Sequence, residues 1–239
     1  MLNFATILAL AAALPLAFAS PLANRNILIP NENGELVYAT PDQLSEIENS
    51  RIKRSMLSKR DKCSDGVAPT DGQDFFNCEQ YCERSTAQIE GAGVKVSDDI
   101  NCTVGKGGTC AVAHAITVTI SESVSINLGG TSGATEEGIA TLTAGASFTW
   151  TKSVATGNTY TFTPASGDQG YIMFKPHLQQ SCGDFQVFTF SQNDDGSETY
   201  CDVPIFSEDT NACGTSPMKL SSGEADGTYS FCRPNGDGC

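Results

Sequence analysis

Basic side chains are scarce in this sequence. Its 239 residues include 14 Lys and Arg against 28 Asp and Glu, which gives a formal net charge of −14. Proteins that bind nucleic acid or anionic lipid by electrostatic attraction need clustered Lys and Arg, because these side chains displace the counterions of phosphates. The composition therefore excludes nucleic acid and other polyanions as tight electrostatic partners.

The sequence also lacks the signatures of common enzymes. It contains no G-x-S-x-G, H-E-x-x-H or P-loop motif. Its two histidines, His114 and His177, do not have the cysteine spacing of a structural zinc site. Carboxylate pairs at Asp98-Asp99, Glu136-Glu137 and Asp194-Asp195 lie in turn-like surroundings and are interpreted as solvated loop charges. We predict no catalytic, cofactor-binding or metal-ligating residue, and keep an unrecognised hydrolase that uses both histidines as an alternative.

The one extended apolar run is at the N-terminus. Residues 1–19 end in Ala17-Phe18-Ala19, the small-x-small pattern of a signal-peptidase site. The run is too short to cross a hydrocarbon core of about 30 Å. The sequence therefore predicts a cleaved signal peptide over 1–19, with a retained anchor as the alternative, and hence a secreted, extracellular protein.

Cysteine is absent from residues 20–60. This segment ends in the dibasic pair Lys59-Arg60, which resembles the cleavage site of kexin-type processing proteases, and Arg51-Ile52-Lys53-Arg54 is a second candidate. A solvated basic turn is the alternative interpretation. A short helix is predicted to begin after Thr40, because Thr40 can act as N-cap and Gln43 completes a capping box. We expect 20–60 to be a removable pro-piece.

All ten cysteines follow the dibasic pair. An even number of cysteines in a secreted chain predicts a disulfide framework, here five bonds whose connectivity the spacing leaves open. The predicted half-cystines are Cys63, Cys78, Cys82, Cys102, Cys110, Cys182, Cys201, Cys213, Cys232 and Cys239.

One short helix is predicted among these cysteines, over about 72–90. Cys78, Cys82 and Ile89 have helical spacing ahead of Gly91. Because two cysteines one helical turn apart are poorly placed to bond each other, each is expected to join the helix to a different β element. Further along, Asn101-Cys102-Thr103 is a glycosylation sequon, and a glycan is predicted on Asn101.

Two stretches alternate between apolar and polar residues. From Val112 to Leu128 every second residue is apolar, apart from His114 and Glu122, and the other face carries Ala, Ser, Thr and Asn. The pattern resumes over 140–154 after a glycine-rich link at 129–138. A period of two predicts β-strands, so the two stretches form a natural hairpin. Further strands are predicted at 159–163, 171–175, 185–190 and 200–206.

These strands, separated by Gly- and Asp-rich turns, predict a mainly β fold. We expect an antiparallel β-sandwich or a twisted sheet of long strands, stapled by disulfides and carrying the one short helix near its N-terminus. Residues 61–239 are expected to form a single disulfide-rich domain that is monomeric.

The alternating hairpin has two interpretations. In the first, bends near Glu122 and Gly145 break it into ordinary strands, with one face on a core and the other in water. In the second, the apolar face contacts lipid and the Ser/Thr face lines a lumen, as in a transmembrane β-hairpin, which needs about 9 to 11 residues per span. One monomer would then contribute one hairpin to an oligomeric pore.

The order of segments from 112 to 171 supports the second interpretation. The first Ser/Thr-rich strand is followed by Thr135-Glu136-Glu137-Gly138, Ser147-Phe148-Thr149-Trp150-Thr151, Thr159-Tyr160-Thr161-Phe162-Thr163 and Gly167-Asp168-Gln169-Gly170-Tyr171. In this order the stretch resembles the stem region of aerolysin-like pore-forming toxins, and the resemblance implies insertion of the 112–154 hairpin into a membrane. Separately, the layout of signal, dibasic pro-piece and cysteine-rich domain is similar to that of secreted fungal effectors and toxins.

Three functions follow from these patterns. The leading hypothesis is a secreted, non-enzymatic protein of effector or virulence type that binds a host or competitor surface component through exposed loops, including 129–138. The first alternative is an aerolysin-like pore-forming toxin, and only this alternative involves a membrane. The second alternative is the unrecognised secreted hydrolase. None of the three requires a cofactor.

Overall fold

A computed structural model describes residues 26–54, 58–59, 78–102, 110, 112–113, 117–128, 131–132, 135–157, 160–192 and 199–239. The predicted signal peptide, Arg60, Cys63, His114 and the Asp194-Asp195 pair lie outside the described residues. We refer to residues 26–54 as the leader unit and to residues 78–239 as the body.

The described chain is mainly β. It has two helices, α1 (Pro41–Arg54) and α2 (Glu136–Gly145). The strands are β1 (Ile27–Pro30), β2 (Glu35–Tyr38), β3 (Ser58–Lys59), β4 (Glu79–Glu90), β5 (Val94–Lys95), β6 (Ile100–Asn101), β7 (Val112–Ala113), β8 (Thr119–Ser121), β9 (Ser123–Ser125), β10 (Asn127–Leu128), β11 (Thr131–Ser132), β12 (Ser153–Ala155), β13 (Thr161–Phe162), β14 (Gln169–Gln192), β15 (Thr199–Pro217) and β16 (Gly227–Cys232).

Strand β14 organises the main sheet of 12 strands. It is 24 residues long and pairs with β15, β4, β16, β5 and β6 at different points along its length. The main path runs β3-β4-β14-β16-β1-β2-β13-β7, and β13 is parallel to β2. The sheet is therefore mixed, where an antiparallel sheet was predicted. The strands predicted at 171–175 and 185–190 are both parts of β14, and the one predicted at 200–206 lies within β15.

The helix predicted at 72–90 is wrong for the part that the structure describes. Residues 79–90 form strand β4, which pairs with β14 from His177↔Glu90 to Val187↔Glu79. Residues 71–77 lie outside the described residues. Long-range pairing with a central strand supplies a ladder of backbone hydrogen bonds, and such tertiary context overrides a weak local helical preference.

The capping box at the start of α1 is confirmed. The Thr40 backbone N–H donates to Gln43 Oε1 at 2.9 Å, and the Gln43 backbone N–H donates to Thr40 Oγ1 at 3.4 Å. These two bonds satisfy donors that have no partner within the first helical turn. The helix begins at Pro41, as the sequence indicates.

The alternating hairpin is not a pair of continuous strands. The first stretch is divided among β7, β8, β9 and β10, with a break at Glu122 between β8 and β9. In the second stretch, α2 occupies Glu136–Gly145, and only Ser153–Ala155 forms a strand. The predicted break at Glu122 is confirmed, whereas a strand through 140–145 is wrong. The long strands of this fold are β14 and β15.

Three disulfides join the described elements. Cys78 bonds Cys201, Cys182 bonds Cys213 across the β14–β15 ladder, and Cys232 bonds Cys239. Cys82 is also disulfide-bonded. Cys78 thus joins a different β element, as expected, although it does so from the start of a strand and not from a helix.

Cys102 and Cys110 are thiols in the structure, which differs from the prediction that all ten cysteines pair. Their side chains are hydrogen-bonded to each other. This bond, together with burial, raises the pKa of the Cys102 thiol to about 11. The two sulfur atoms are therefore in contact without being covalently joined.

Two hydrophobic cores support the sheet. The first contains Leu28, Leu36, Val96, Ile100, Ile120, Val154, Phe162, Ile172, Phe174, Ala225 and Phe231. The second contains Tyr81, Ile126, Leu142, Phe185 and Ala212, with Trp150 packed against it. The leader unit, the alternating stretches and the long strands all contribute residues to these cores. None of the helices within the described ranges is long and apolar enough to cross a membrane.

Candidate functional site

The alternating stretches, here called the amphipathic segment (residues 112–156), keep a hairpin ladder at their base. Strand β8 pairs with β12 through Thr119↔Ala155, Ile120↔Val154 and Ser121↔Ser153. The backbone N–H of Glu122 donates to the Lys152 carbonyl at 2.8 Å, which extends the ladder by one position. In each pair the two residue numbers add to 274. An even-numbered residue of one strand therefore always lies opposite an even-numbered residue of the other strand.

Beyond Glu122 the segment leaves its hairpin partner and pairs with the body. Strand β9 forms an antiparallel ladder with β15 through Ser123↔Thr215, Val124↔Gly214 and Ser125↔Cys213. Here the exposed Ser side chains face outward, and Val124 packs against the second core. Past Glu122 the first stretch therefore pairs with β15 of the main sheet and no longer with the second stretch.

The second half of the segment is held to the body as a helix. Thr135 caps α2, since its Oγ1 accepts a bond of 3.0 Å from the Gly138 backbone N–H. Leu142 is fully buried in the second core. Both Leu142 and Trp150 lie over Gly214, where a Cβ atom would come within 2.8 Å of Leu142 and 2.6 Å of Trp150. The absence of a side chain at Gly214 therefore lets α2 and Trp150 approach β15.

Body side chains bind backbone amides of the segment at three places. Asp209 accepts from the Asn127 N–H at 2.6 Å, Glu83 accepts from the Ser147 N–H at 3.0 Å, and Ser216 Oγ accepts from the Thr151 N–H at 2.7 Å. The amides of Ser147 and Thr151 lie outside any ladder, whereas Asn127 also belongs to a short ladder within the segment, in which β10 pairs with β11 through Asn127↔Ser132 and Leu128↔Thr131. The same amides would be available to a hairpin once the segment left the body.

Two charged residues interrupt the apolar face, and they lie at the base of the segment. Glu122 accepts a short hydrogen bond from Trp150 Nε1. Lys152 is the ladder neighbour of Glu122 and is exposed. Both charges therefore occupy the junction between the part of the segment that stays paired as β8–β12 and the part that packs on the body.

A second candidate site is a crevice of about 460 Å³ between the leader unit and the body. One wall consists of β1 and α1, including Ile29 and Ile47, and the other consists of residues from β16 and the turn before it, including Leu220 and Tyr229. This volume lies within the range of about 300–1,000 Å³ that is typical of small-molecule pockets. No sequence pattern indicates the crevice, because its walls come from residues more than a hundred positions apart.

A polar relay lies in the wall of the crevice. His177 Nδ1 is 3.1 Å from Asp226 Oδ1, and His177 Nε2 is 3.3 Å from Thr228 Oγ1. The connectivity matches that of an acid–histidine–hydroxyl relay. However, Thr228 is only 9% exposed and belongs to strand β16, so its hydroxyl has little access to a substrate. We interpret the relay as a contact that fixes the start of β16 against β14.

Tyr229 provides a hydrogen-bond donor on the same wall. Burial, followed by Tyr160 and Glu224, raises the pKa of Tyr229. The rings of Tyr229 and Tyr160 meet edge to face, with 5.4 Å between their centroids. The crevice presents the Tyr229 phenol, which is protonated at neutral pH as any ordinary tyrosine is, beside aliphatic side chains. Such a surface suits an apolar ligand with a hydrogen-bond acceptor.

Of the residues predicted for cleavage and glycosylation, Lys59 and Asn101 lie within the described ranges. Lys59 is in β3, a two-residue strand paired with β4. Asn101 is exposed at the end of β6, while the Cys102 next to it is 1% exposed. Cleavage after Lys59-Arg60 and glycosylation of Asn101 stay predictions.

The predicted loop carboxylates have different surroundings. Asp98 and Asp99 are exposed, and Asp99 forms an ion pair of 2.6 Å with Lys95. Glu136 and Glu137 are also exposed, but they form the first turn of α2, where negative charge favours the helix dipole. Across the ranges that the structure describes, no group of three His, Cys, Asp or Glu side chains is arranged to hold a metal ion.

Comparisons with known proteins add no relative to this picture. No family model, no curated protein and no solved structure matches the chain. The amphipathic segment and the crevice are therefore the features that bear on the function of this protein.

Proposed function

We propose that this is a secreted, non-enzymatic protein of toxin type whose amphipathic segment inserts into a membrane as a β-hairpin and forms an oligomeric pore. One observation carries the proposal, namely the register of the β8–β12 ladder. Continuing this ladder past Glu122, with residue numbers still adding to 274, places the apolar residues Val124, Ile126 and Leu128 of the first stretch opposite apolar residues of the second.

The extended hairpin would have two distinct faces. The apolar face pairs Val124 with Trp150, Ile126 with Phe148 and Leu128 with Ala146. The polar face pairs Ser123 with Thr151, Ser125 with Thr149 and Asn127 with Ser147. Strands with one lipid-facing and one water-facing side are the form in which a β structure spans a membrane. A register of odd sum would instead mix the two faces.

The same register also closes the hairpin with a suitable turn. It places Thr135 opposite Ile139 and leaves Glu136-Glu137-Gly138 as a loop of three residues. Loops of three residues in hairpins favour glycine at the left-handed position, and Gly138 is the third residue here. Residues 123–135 and 139–151 then give 13 residues per strand, whereas a span needs about 9–11. The hairpin is long enough to cross.

The charges of the apolar face lie where such a hairpin tolerates them. The register sets Glu122 directly opposite Lys152, below both 13-residue strands. Opposite charges on facing strands attract each other, and a pair at the base lies at the membrane surface and not in its hydrocarbon core. The charged pair Glu122 and Lys152 thus coincides with one end of the span.

Helix α2 has the composition of a segment that can change its structure. Within ten residues it contains Gly138 and Gly145 and the β-branched residues Ile139, Thr141 and Thr143. Each glycine lowers helix stability by about 1 kcal/mol relative to alanine, and helices this short are marginal without tertiary contacts. The helix is therefore maintained by Leu142 and by the contacts with the body. Loss of those contacts favours the strand form.

Dye release from liposomes tests the proposal, with Ala144→Arg as the main variant. Ala144 is exposed on α2, so an arginine there leaves the water-soluble fold intact. In the hairpin it lies on the lipid face near the middle of the span, where an arginine costs about 2–4 kcal/mol. We expect micromolar wild-type protein to release dye and Ala144→Arg to lose this activity.

The matched control is Thr143→Arg, one residue away on the polar face. Its arginine would face the lumen, so we expect it to keep most of the dye release. Circular dichroism and the urea midpoint show that both variants are folded. Equal loss of dye release in the two variants would contradict the register of the proposed hairpin. No release by the wild-type protein, with or without target-cell lipid extract, would remove the pore proposal.

A second candidate function is binding of a host or competitor surface component, and the crevice favours it. Leu220 is 46% exposed at the crevice wall, so an arginine at this position narrows the crevice without disturbing a core. A neutral apolar fluorescent probe such as Nile red should bind the wild-type protein and bind Leu220→Arg more weakly. The exposed neighbour Ser221→Arg is the control. Identical binding by all three proteins would exclude the crevice.

A further inference from the structure

The leader unit occupies the middle of the main sheet. Strand β1 pairs with β16 through Ile27↔Ser230 and Leu28↔Tyr229, and it also pairs with β2. Strand β2 continues the sheet to β13 in parallel register. The path β16-β1-β2-β13 therefore connects two sets of body strands through the leader hairpin. Removing the hairpin would leave a gap of two strands.

The side chains of the leader hairpin are part of the first core. Ile27, Leu28 and Leu36 are 5%, 1% and 3% exposed. Leu28 and Leu36 belong to the cluster that contains Phe162 and Phe231 of the body. Apolar side chains with this degree of burial are removed from water by the body, so their departure would expose apolar surface on both sides.

The C-terminal end of the body encloses the start of the leader unit. The backbone N–H of Phe231 donates to the Asn26 carbonyl at 2.9 Å, and the Arg233 guanidinium donates to the Asn26 side chain. Gly238 lies against Asn26 so closely that a Cβ there would be 2.8 Å from the Asn26 Cβ. Its φ of +84° also favours glycine. Asn26 is thus held by both backbone and side-chain contacts from the C-terminal end of the body.

We propose that the leader unit is not released by cleavage after Lys59-Arg60 but stays bound as a noncovalent subunit, which makes the processed protein a two-chain molecule. The groove between β16 and β13 is the binding surface, and the leader hairpin is its occupant. Residues 1–62 contain no cysteine, so no disulfide ties the leader to the body. The proposal concerns processing and does not depend on membrane insertion.

The test begins with the purified full-length protein cleaved by a kexin-type protease. If the Lys59-Arg60 site resists cleavage, a protease site inserted between Arg60 and Asp61 allows the chain to be cut at the same position. Gel filtration in native buffer, with mass spectrometry of the peak, then shows whether the leader fragment elutes with the body. We expect co-elution in native buffer and separation in urea without any reducing agent.

Adjacent residues of β2 provide a matched pair of variants. Leu36 is 3% exposed and faces the core, whereas Val37 is 39% exposed on the opposite face. We expect Leu36→Ala to lower the urea concentration that releases half of the leader by about 1 M or more, and Val37→Ala to leave it nearly unchanged. Both variants are compared after the same cut.

The proposal would be overturned if the leader eluted as a separate peak in native buffer while the body stayed monodisperse with unchanged Trp150 fluorescence. Equal release from Leu36→Ala and Val37→Ala would also overturn it, because retention would then not depend on core packing. Neither measurement involves dye release. If the leader unit proves not to be retained, the proposed membrane insertion is therefore unaffected and is tested separately by dye release.

Discussion

Replacing Leu28 by alanine distinguishes a leader unit that belongs to the folded domain from one that only lies beside it. Leu28 is 1% exposed and shares the first core with Phe162, Phe231 and Ile172. The substitution removes the branched end of the side chain and leaves a cavity. Comparable buried leucines lose about 2–5 kcal/mol of unfolding free energy when they are replaced by alanine.

Trp150 makes this loss measurable at a distance from the mutation. It is the single tryptophan of the chain and packs against the second core, whereas Leu28 belongs to the first. We expect the urea midpoint of Leu28→Ala, followed by Trp150 fluorescence in the uncleaved chain, to fall by roughly 1–3 M. This shift is a loss of about 3 kcal/mol divided by a slope of about 1–3 kcal/mol per M.

Val37→Ala is the control, because Val37 is 39% exposed on the same hairpin. A surface substitution of this kind changes stability by about 0.5 kcal/mol or less. If Leu28→Ala moves the Trp150 transition no further than Val37→Ala does, the leader unit is not part of the cooperative unit. Packing of Leu28 in the first core would then contribute nothing to the stability of the body.

Two further predictions concern titration and disulfide state. Burial raises the pKa of Tyr81 to about 12, above its ordinary value of 10.0, so its contribution to stability is present below pH 10 and is lost as the pH rises toward 12. Tyr81→Phe should therefore show a smaller decline of the urea midpoint over this range, and parallel curves would contradict this. Cys102 and Cys110 are in contact, so we expect an oxidising secretory pathway to join them as a fifth disulfide. Alkylation of both residues in urea without reductant would disprove this bond.

Local chemistry made part of the fold predictable. The capping residues of α1 lie within four positions of each other, so the sequence itself contains every partner that starts this helix. The strands within β14 and β15 were predicted in pieces, because their alternating patterns are local. These pieces merge into strands of 24 and 19 residues because they pair with other strands along their length. No local sequence pattern encodes that pairing.

The amphipathic segment shows why the candidate site was only partly predictable. Its alternation predicted a hairpin of two long strands, and the structure contains only the base of that hairpin, the β8–β12 ladder. The helix over Glu136–Gly145 was missed, because Leu142 gains more by packing against the second core than the local sequence gains from a strand. The crevice was missed entirely, because its walls meet only after the leader unit folds onto the body.

The sequence by itself determined the acidic composition, the cysteine-rich chain that follows a cysteine-free leader, the mainly β character and the helix after Thr40. Only the tertiary structure decided that residues 79–90 form a strand, that part of the alternating stretch is helical and that Leu28 and Leu36 belong to the core. The physical reason is the same in each case. Composition and caps act between neighbours in the chain, whereas ladders and cores join residues far apart, and the free energy of those contacts exceeds weak local preferences.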